Sequence, residues 1–229
     1  MRPLYARLAS IVAALTLSGC ATETLFRSNF DATPEGQPPS PTQAVGTAGV
    51  FGPPGSVKIV TGVPGLNGKF LEISRPTGPD VAGMQGKFEQ FRGNGRYTFS
   101  ATVVMPLDSQ VATIQFEQFT NPSTSLSAFL HLDFMSDNKV RIDDNEAATF
   151  GEFVRGEPFI VQVKLDIGDT ASAANIILSG GGASGEHNHA ITGPAQTQSR
   201  NFGAIRIWQG FPHTGRFDVQ NVAVTRRTD

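Results

Sequence analysis

The feature that most constrains this 229-residue chain is a period of two. Apolar and polar side chains alternate over short stretches that end at turn residues, and no stretch keeps apolar residues at helical spacing. The segment 158–167 shows it best. Phe159, Val161, Val163, Leu165 and Ile167 fall on one side, and Gln162 and Lys164 on the other. Successive side chains of a strand point to opposite faces, so each such stretch reads as a strand with one greasy side and one wet side. The same reading predicts strands over 25–30, 57–60, 69–74, 81–88, 96–105, 111–119, 126–135, 138–143, 174–179, 202–209 and 216–225. Pro64-Gly65, Asn67-Gly68, Gly93-Asn94-Gly95, Asn121-Pro122, Ser136-Asp137-Asn138 and Gly168-Asp169 break them with residues suited to tight turns. Only Asp143–Phe153 leaves room for a short helix. Residues 33–55 hold Pro34, Pro38, Pro39, Pro41, Pro53 and Pro54 among several glycines, and are expected as a long surface loop. With 25 Gly, 15 Pro and only 17% charged residues, the chain predicts an all-β, antiparallel β-sandwich of one domain over 25–229.

The N-terminus carries an address. Arg2 and Arg7, with no acid among them, precede an apolar run from Leu8 to Leu17. That run is too short to span a bilayer, which takes about 20 apolar residues, but it suits a signal-peptide core. It ends Leu17-Ser18-Gly19-Cys20, which resembles the lipobox of bacterial lipoproteins. The resemblance implies a signal peptide over 1–19 and cleavage before Cys20. It also implies a diacylglycerol on the thiol, and an acyl chain such as palmitate on the new amino group. Residues 20–24 are then expected as a lipid-anchored tether. Ala21, in place of an Asp, implies by the same resemblance the outer membrane. Cys20 is the only cysteine, so the fold has no disulfide and the lone thiol is accounted for by lipid.

Three later segments, Pro158–Asp166, Ala174–Ser179 and Gly215–Thr225, resemble the closing strands of concanavalin A-like jelly rolls. That group includes lectins, laminin G-like modules, β-glucanases and some polysaccharide lyases. An early strand ending Asn29-Phe30-Asp31, set to pair near the last strand, is similar too. The resemblance implies a jelly-roll sandwich whose ligand groove is one sheet face.

Alternation then sorts the side chains. With Ile205 and Ile207 inward, Arg206 and Trp208 share the other face. With Ile114 and Phe116 inward, Gln115, Glu117 and Phe119 point out. With Leu126, Ala128, Leu130, Leu132 and Phe134 inward, Phe129, His131 and Asp133 point out. Tyr97, Phe99, Ala101 and Val103 are inward, leaving Thr98, Ser100 and Thr102 outside. If these strands neighbour one another, they make a polar groove with Trp208 as a flat platform. Carboxylates, amides and Arg suit sugar hydroxyls, and aromatic rings suit sugar C–H faces. Gln115, Glu117, Phe129, His131, Asp133, Arg206 and Trp208 are therefore the expected ligand-binding residues.

Chemistry is less marked. Glu117 and Asp133 are the best outward carboxylate pair, yet the Glu-x-Asp-x-x-Glu motif of β-glucanases of this fold is absent. Lyases of the fold combine Gln, His, Arg and Tyr. Gln115, His131 and Arg206 are available here, but Tyr97 faces the core and Tyr5 lies in the signal. His187-Asn188-His189 reads as an exposed loop, with no third metal ligand evident. The turn Asp143-Asp144-Asn145-Glu146 has oxygen ligands that could hold Ca²⁺, but reads more simply as a solvated turn. No cofactor or metal is expected. The net charge is −2, and more negative once Arg2 and Arg7 are removed, which argues against nucleic acid and against electrostatic adhesion to anionic lipid. The expected function is a lipid-anchored envelope protein that binds a glycan or cell-envelope polymer. The alternatives are a polysaccharide lyase or glycoside hydrolase using the same face, with Glu117 and His131 as its catalytic groups, and a structural envelope lipoprotein.

Overall fold

The computed structural model describes residues 21–64, 66–75, 79–119, 126–191, 201–210 and 212–228. Within them lie fifteen strands and no helix: β1 (Ala21–Ser28), β2 (Thr47–Phe51), β3 (Val57–Val60), β4 (Phe70–Arg75), β5 (Ala82–Arg92), β6 (Gly95–Val104), β7 (Ala112–Phe119), β8 (Leu126–Phe134), β9 (Val140–Ile142), β10 (Asn145–Phe150), β11 (Phe159–Ile167), β12 (Ser172–Gly180), β13 (Ala183–Ala190), β14 (Asn201–Gln209) and β15 (Gly215–Thr228). They form two antiparallel sheets. One runs β13-β12-β11-β6-β15-β4-β3, with β1 also paired to β15, and the other runs β10-β9-β8-β7-β14-β5-β2. The chain crosses between the sheets repeatedly, which makes the sandwich a jelly roll and brings the first and last strands together.

Period two is what the structure buries. Phe159, Val161, Val163, Leu165 and Ile167 are in the core, as are Tyr97, Phe99, Ala101 and Val103. Aromatic rings stitch the two sheets together in place of disulfides. Phe99 meets Phe116 edge-on at 5.3 Å and Phe202 meets Tyr97 at 5.3 Å, while within its own sheet Phe202 also meets Phe88 at 4.8 Å. Each fully buried Phe contributes about 1.5–3 kcal/mol by leaving water, before the geometric term of the ring pairs.

Four expectations are corrected. Residues 21–24 are not a tether, because β1 begins at Ala21 and pairs with β15 from Thr228 inward. The loop expected over 33–55 contains β2, an edge strand of the seven-stranded sheet, where flanking prolines cost no ladder hydrogen bond. Asp143–Phe153 is no helix: Asp143–Phe150 form the turn and second strand of the β9–β10 hairpin, and Glu152 beyond it bridges to Ser184. Asp143 and Asp144 have φ of 51° and 56°, the left-handed pair that a two-residue hairpin turn demands. His187-Asn188-His189 is not a loop. It lies in β13, reached from β12 through Gly180-Gly181-Gly182, all at positive φ. A side chain at Gly181 would fall 2.0 Å from the Pro158 carbonyl oxygen. The signal peptide and Cys20 lie outside the described residues.

Candidate functional site

β14 runs between β7 and β5, with β8 beyond β7. Register puts the outward residues of these strands into rows. Trp208 is opposite Thr113 on β7 and Gly83 on β5, and Thr113 is opposite Asp133 on β8. One step along, Arg206 is opposite Gln115 and Gln85, and Gln115 is opposite His131. A third row joins Lys87, Ala204 and Glu117. Six of the seven expected residues therefore share one sheet face. The strands 96–104 and 158–167 do not join them. They are β6 and β11 of the other sheet, so Thr98, Ser100, Thr102, Gln162 and Lys164 face the opposite side of the molecule.

Phe129 is the exception and a correction. It is 6% exposed and packs on Phe202 at 5.4 Å. The cause is a β-bulge: Phe116 is opposite Leu130 while Glu117 is opposite Ala128, so Phe129 is an extra residue on β8. A bulge inserts one residue and resets the alternation beyond it. Ala128, expected inside, accordingly falls opposite outward-facing Glu117.

The outward carboxylates are drier than alternation alone suggests. Glu117 is 2% exposed, accepts a hydrogen bond from Gln85 Nε2 at 2.6 Å, and lies 4.0 Å from Arg206 Nη1. Burial raises its pKa, opposed by the Gln85 hydrogen bond and the Arg206 charge. Asp133 Oδ1 accepts from the Thr113 hydroxyl at 2.6 Å, while Oδ2 is buried without a partner. Burial pushes Asp133 up to about 6, although the Thr113 hydrogen bond pulls the other way.

The aromatic side of the face is built on missing Cβ atoms. A side chain at Gly83 would come within 2.6 Å of Trp208 and 2.7 Å of the Phe51 ring, and one at Gly210 within 2.2 Å of the Trp208 ring. Phe51 and Trp208 lie against these glycines, and the Arg206 guanidinium packs 4.3 Å from the Phe51 ring centre and 5.5 Å from that of Trp208. Arg206 Nε and Trp208 Nε1 are both buried without a hydrogen-bond partner.

Glu117 and Asp133 do not make a hydrolase pair at the backbone level. Asp133 is opposite Thr113, four residues along β7 from Glu117, an offset of about 14 Å at about 3.4 Å per residue. Glycosidase carboxyls sit about 5–10 Å apart. The acidic turn is likewise engaged internally. Asp143 Oδ1 accepts from the His131 backbone N–H at 2.8 Å, and Oδ2 meets His189 Nε2 at 3.0 Å, joining the edges of the two sheets. Among the described residues, no three His, Cys, Asp or Glu side chains group as a metal site.

Gln85 and Lys87 on β5 join the face without having been among the expected residues, although alternation marks them, since they flank inward Met84 and Phe88. Phe51 carried no signal within a proline-rich stretch.

No family model matches the chain, and no curated protein matches it. Similar solved structures include a Trypanosoma rangeli sialidase in complex with sialic acid, at 16% identity over 80% of this chain and 31% of that one, TM-score 0.48. The lectin UEA-II complexed with galactose aligns at 9% identity over 90% of this chain and 98% of that one, TM-score 0.47. The Caenorhabditis elegans galectin LEC-6 aligns at 12% identity over 67% and 94%, TM-score 0.40. The chain spans about a third of the sialidase it matches. By architecture it is an all-β antiparallel sandwich of the jelly-roll class.

Proposed function

We propose that this chain is a lipid-anchored envelope protein that binds a glycan or cell-envelope polymer on the outer face of β14, β7 and β8. The observation that supports it most is the set of unanswered polar atoms there: Arg206 Nε and Trp208 Nε1 on β14 and Asp133 Oδ2 on β8, with β7 between, are buried and unpartnered. Buried polar atoms in native proteins nearly always find partners. Hydroxyls of a sugar chain, with a C–H face on Trp208, answer both the donors and the acceptor. The test is a glycan-array screen followed by titration calorimetry on the best ligand. Trp208→Ala and Gln115→Ala should each weaken binding about tenfold or more, the loss of one stacking or hydrogen-bonding anchor. Binding that survives both substitutions removes this face from the reading. The anchor has its own test. Cys20→Ser should move the protein from the membrane fraction to the soluble one, and mass spectrometry of the wild-type N-terminal peptide should find an acylated Cys20.

A second reading draws on the middle row. Arg206, Gln115 and His131 are consecutive cross-strand partners, the side-chain types a polysaccharide lyase uses. Turnover would appear as ultraviolet absorbance from unsaturated uronate ends, abolished by His131→Ala with binding retained.

A further inference from the structure

The other face of the molecule carries a groove of about 640 Å³ on the eight-stranded sheet, a volume typical of ligand sites. Its floor is a single register row: Thr225 is opposite Thr98, Thr98 opposite Lys164, Lys164 opposite Asn175, and Asn175 opposite Asn188. Five adjacent strands thus present hydroxyl, amine and amide groups in a line about 19 Å long, at about 4.8 Å per strand. The Asn175 amide donates to Asn188 Oδ1 at 2.9 Å and to Glu186 Oε1 at 2.7 Å, which fixes the orientation of both amides. Ala173 and Ala190 are opposite each other beside this row and leave it open.

The next row is charged in an unusual way. Arg227 is directly opposite Arg96, and like charges in that position oppose pairing. Asp166, on the other side of Arg96, lies 3.7 Å from its Nε and is the one carboxylate among the groove's lining residues. Glu186, hydrogen-bonded to Asn175 at the edge of the groove, is a second carboxylate, so the three cations Arg96, Arg227 and Lys164 stand against two acids, in a chain of net charge −2. Tyr97 touches the groove but its ring is in the core, so among the described residues the groove has no exposed aromatic platform.

We propose that this groove binds an anionic oligosaccharide, a carboxylate-bearing sugar chain laid across β15, β6, β11, β12 and β13. The arginines and Lys164 take the carboxylates, and the threonine and asparagine row takes the hydroxyls. Without a stacking ring, the site distinguishes its ligand by charge rather than by the sugar's apolar face. The threonines and asparagines that flank Lys164 in the row favour a chain of hydroxyls over a lipid headgroup, which would need the cations alone. This site is separate from the face of Trp208 and does not rest on what that face binds.

The probe is an oligogalacturonate, titrated against the full chain carrying Cys20→Ser, with a neutral cello-oligosaccharide and phosphatidylglycerol–phosphatidylcholine vesicles as comparisons. The oligogalacturonate should bind, more weakly as salt rises, and the double substitution Arg96→Gln/Lys164→Gln should weaken it at least tenfold. Both side chains are exposed, and a thermal melt checks that the variant folds; Lys164→Gln alone should give a smaller loss in the same direction. Trp208→Ala should leave the affinity unchanged. The proposal is overturned if the oligogalacturonate fails to bind, if the neutral chain binds as well, or if the double variant binds as the wild type does. Loss of binding on Trp208→Ala would move the ligand to the opposite face, and binding to anionic vesicles with the oligogalacturonate inert would make the groove a membrane contact. Either overturns it too.

Discussion

Asp133→Asn should make this protein more stable at neutral pH. Asp133 is 6% exposed, has one oxygen on Thr113 and leaves the other buried and unanswered. Its pKa rises from 3.8 to about 6, with burial the largest cause. Because the folded-state value lies above the unfolded one, the folded chain holds this proton more tightly, and stability falls as pH rises between about 4 and about 6. Above about 6 the cost is fully present, and at 1.36 kcal/mol per pKa unit it is about 3 kcal/mol at most. An amide keeps an oxygen for the Thr113 hydroxyl and carries no charge to desolvate, so Asp133→Asn should recover much of that. At about 2–4 °C per kcal/mol for a chain of this size, the melting temperature should rise by about 5–10 °C at pH 7.5. The assay is urea unfolding of both proteins at half-unit steps from pH 4 to pH 8. Their stabilities should converge at pH 4 and separate steadily up to pH 6. A variant no more stable than the wild type at pH 7.5, or a gap that does not close on acidification, would show that the Asp133 carboxylate is better solvated or better partnered than this geometry allows.

Two further substitutions probe the frame that holds the faces. Phe202 is fully buried and its ring meets those of Phe88, Tyr97, Phe116 and Phe129, so Phe202→Ala should cost about 3–5 kcal/mol in denaturant unfolding. A cost below about 1 kcal/mol would mean the sheets are not joined there. Gly181→Ala should cost of order 1–3 kcal/mol from its left-handed φ alone. It should also disturb the β12–β13 turn, because the added Cβ meets the Pro158 carbonyl; hydrogen exchange of β13 amides should quicken, and unchanged exchange would contradict the contact.

The strands were legible in the sequence because period two is a one-dimensional signal, and each buried face repeats it. β11 reads off residue by residue. What failed was whatever depends on a partner strand. The bulge at Phe129 is set by the register of β7 against β8, and nothing in Leu126-Ser-Ala-Phe-Leu-His announces the extra residue. β2 hid among prolines because an edge strand needs hydrogen bonds on one side only. The hairpin at Asp143-Asp144 was open to reading, since Asp and Asn tolerate the left-handed region, but a polar run without alternation resembles a helix start equally well. The site divides in the same way. Gln115, Glu117, His131, Asp133, Arg206 and Trp208 were found because outward positions follow from inward ones. Which strands neighbour which does not follow, and so β6 and β11 could not be assigned to the opposite sheet.

Net charge misled for a related reason. A total of −2 speaks against anionic partners only if the charges are spread evenly. Strand pairing gathers Arg96, Arg227 and Lys164 onto one face through contacts between residues far apart in the chain. Ions screen charges beyond about 8 Å at physiological salt, so a ligand in the groove responds to these cations, to Asp166 and to Glu186 beside Asn175, rather than to acids farther away on the surface. The jelly roll can therefore present an aromatic, carboxylate-bearing face and a cationic, hydroxyl-rich one on opposite sides of one core. Alternation fixes which residues reach a surface, and topology fixes which surface they share.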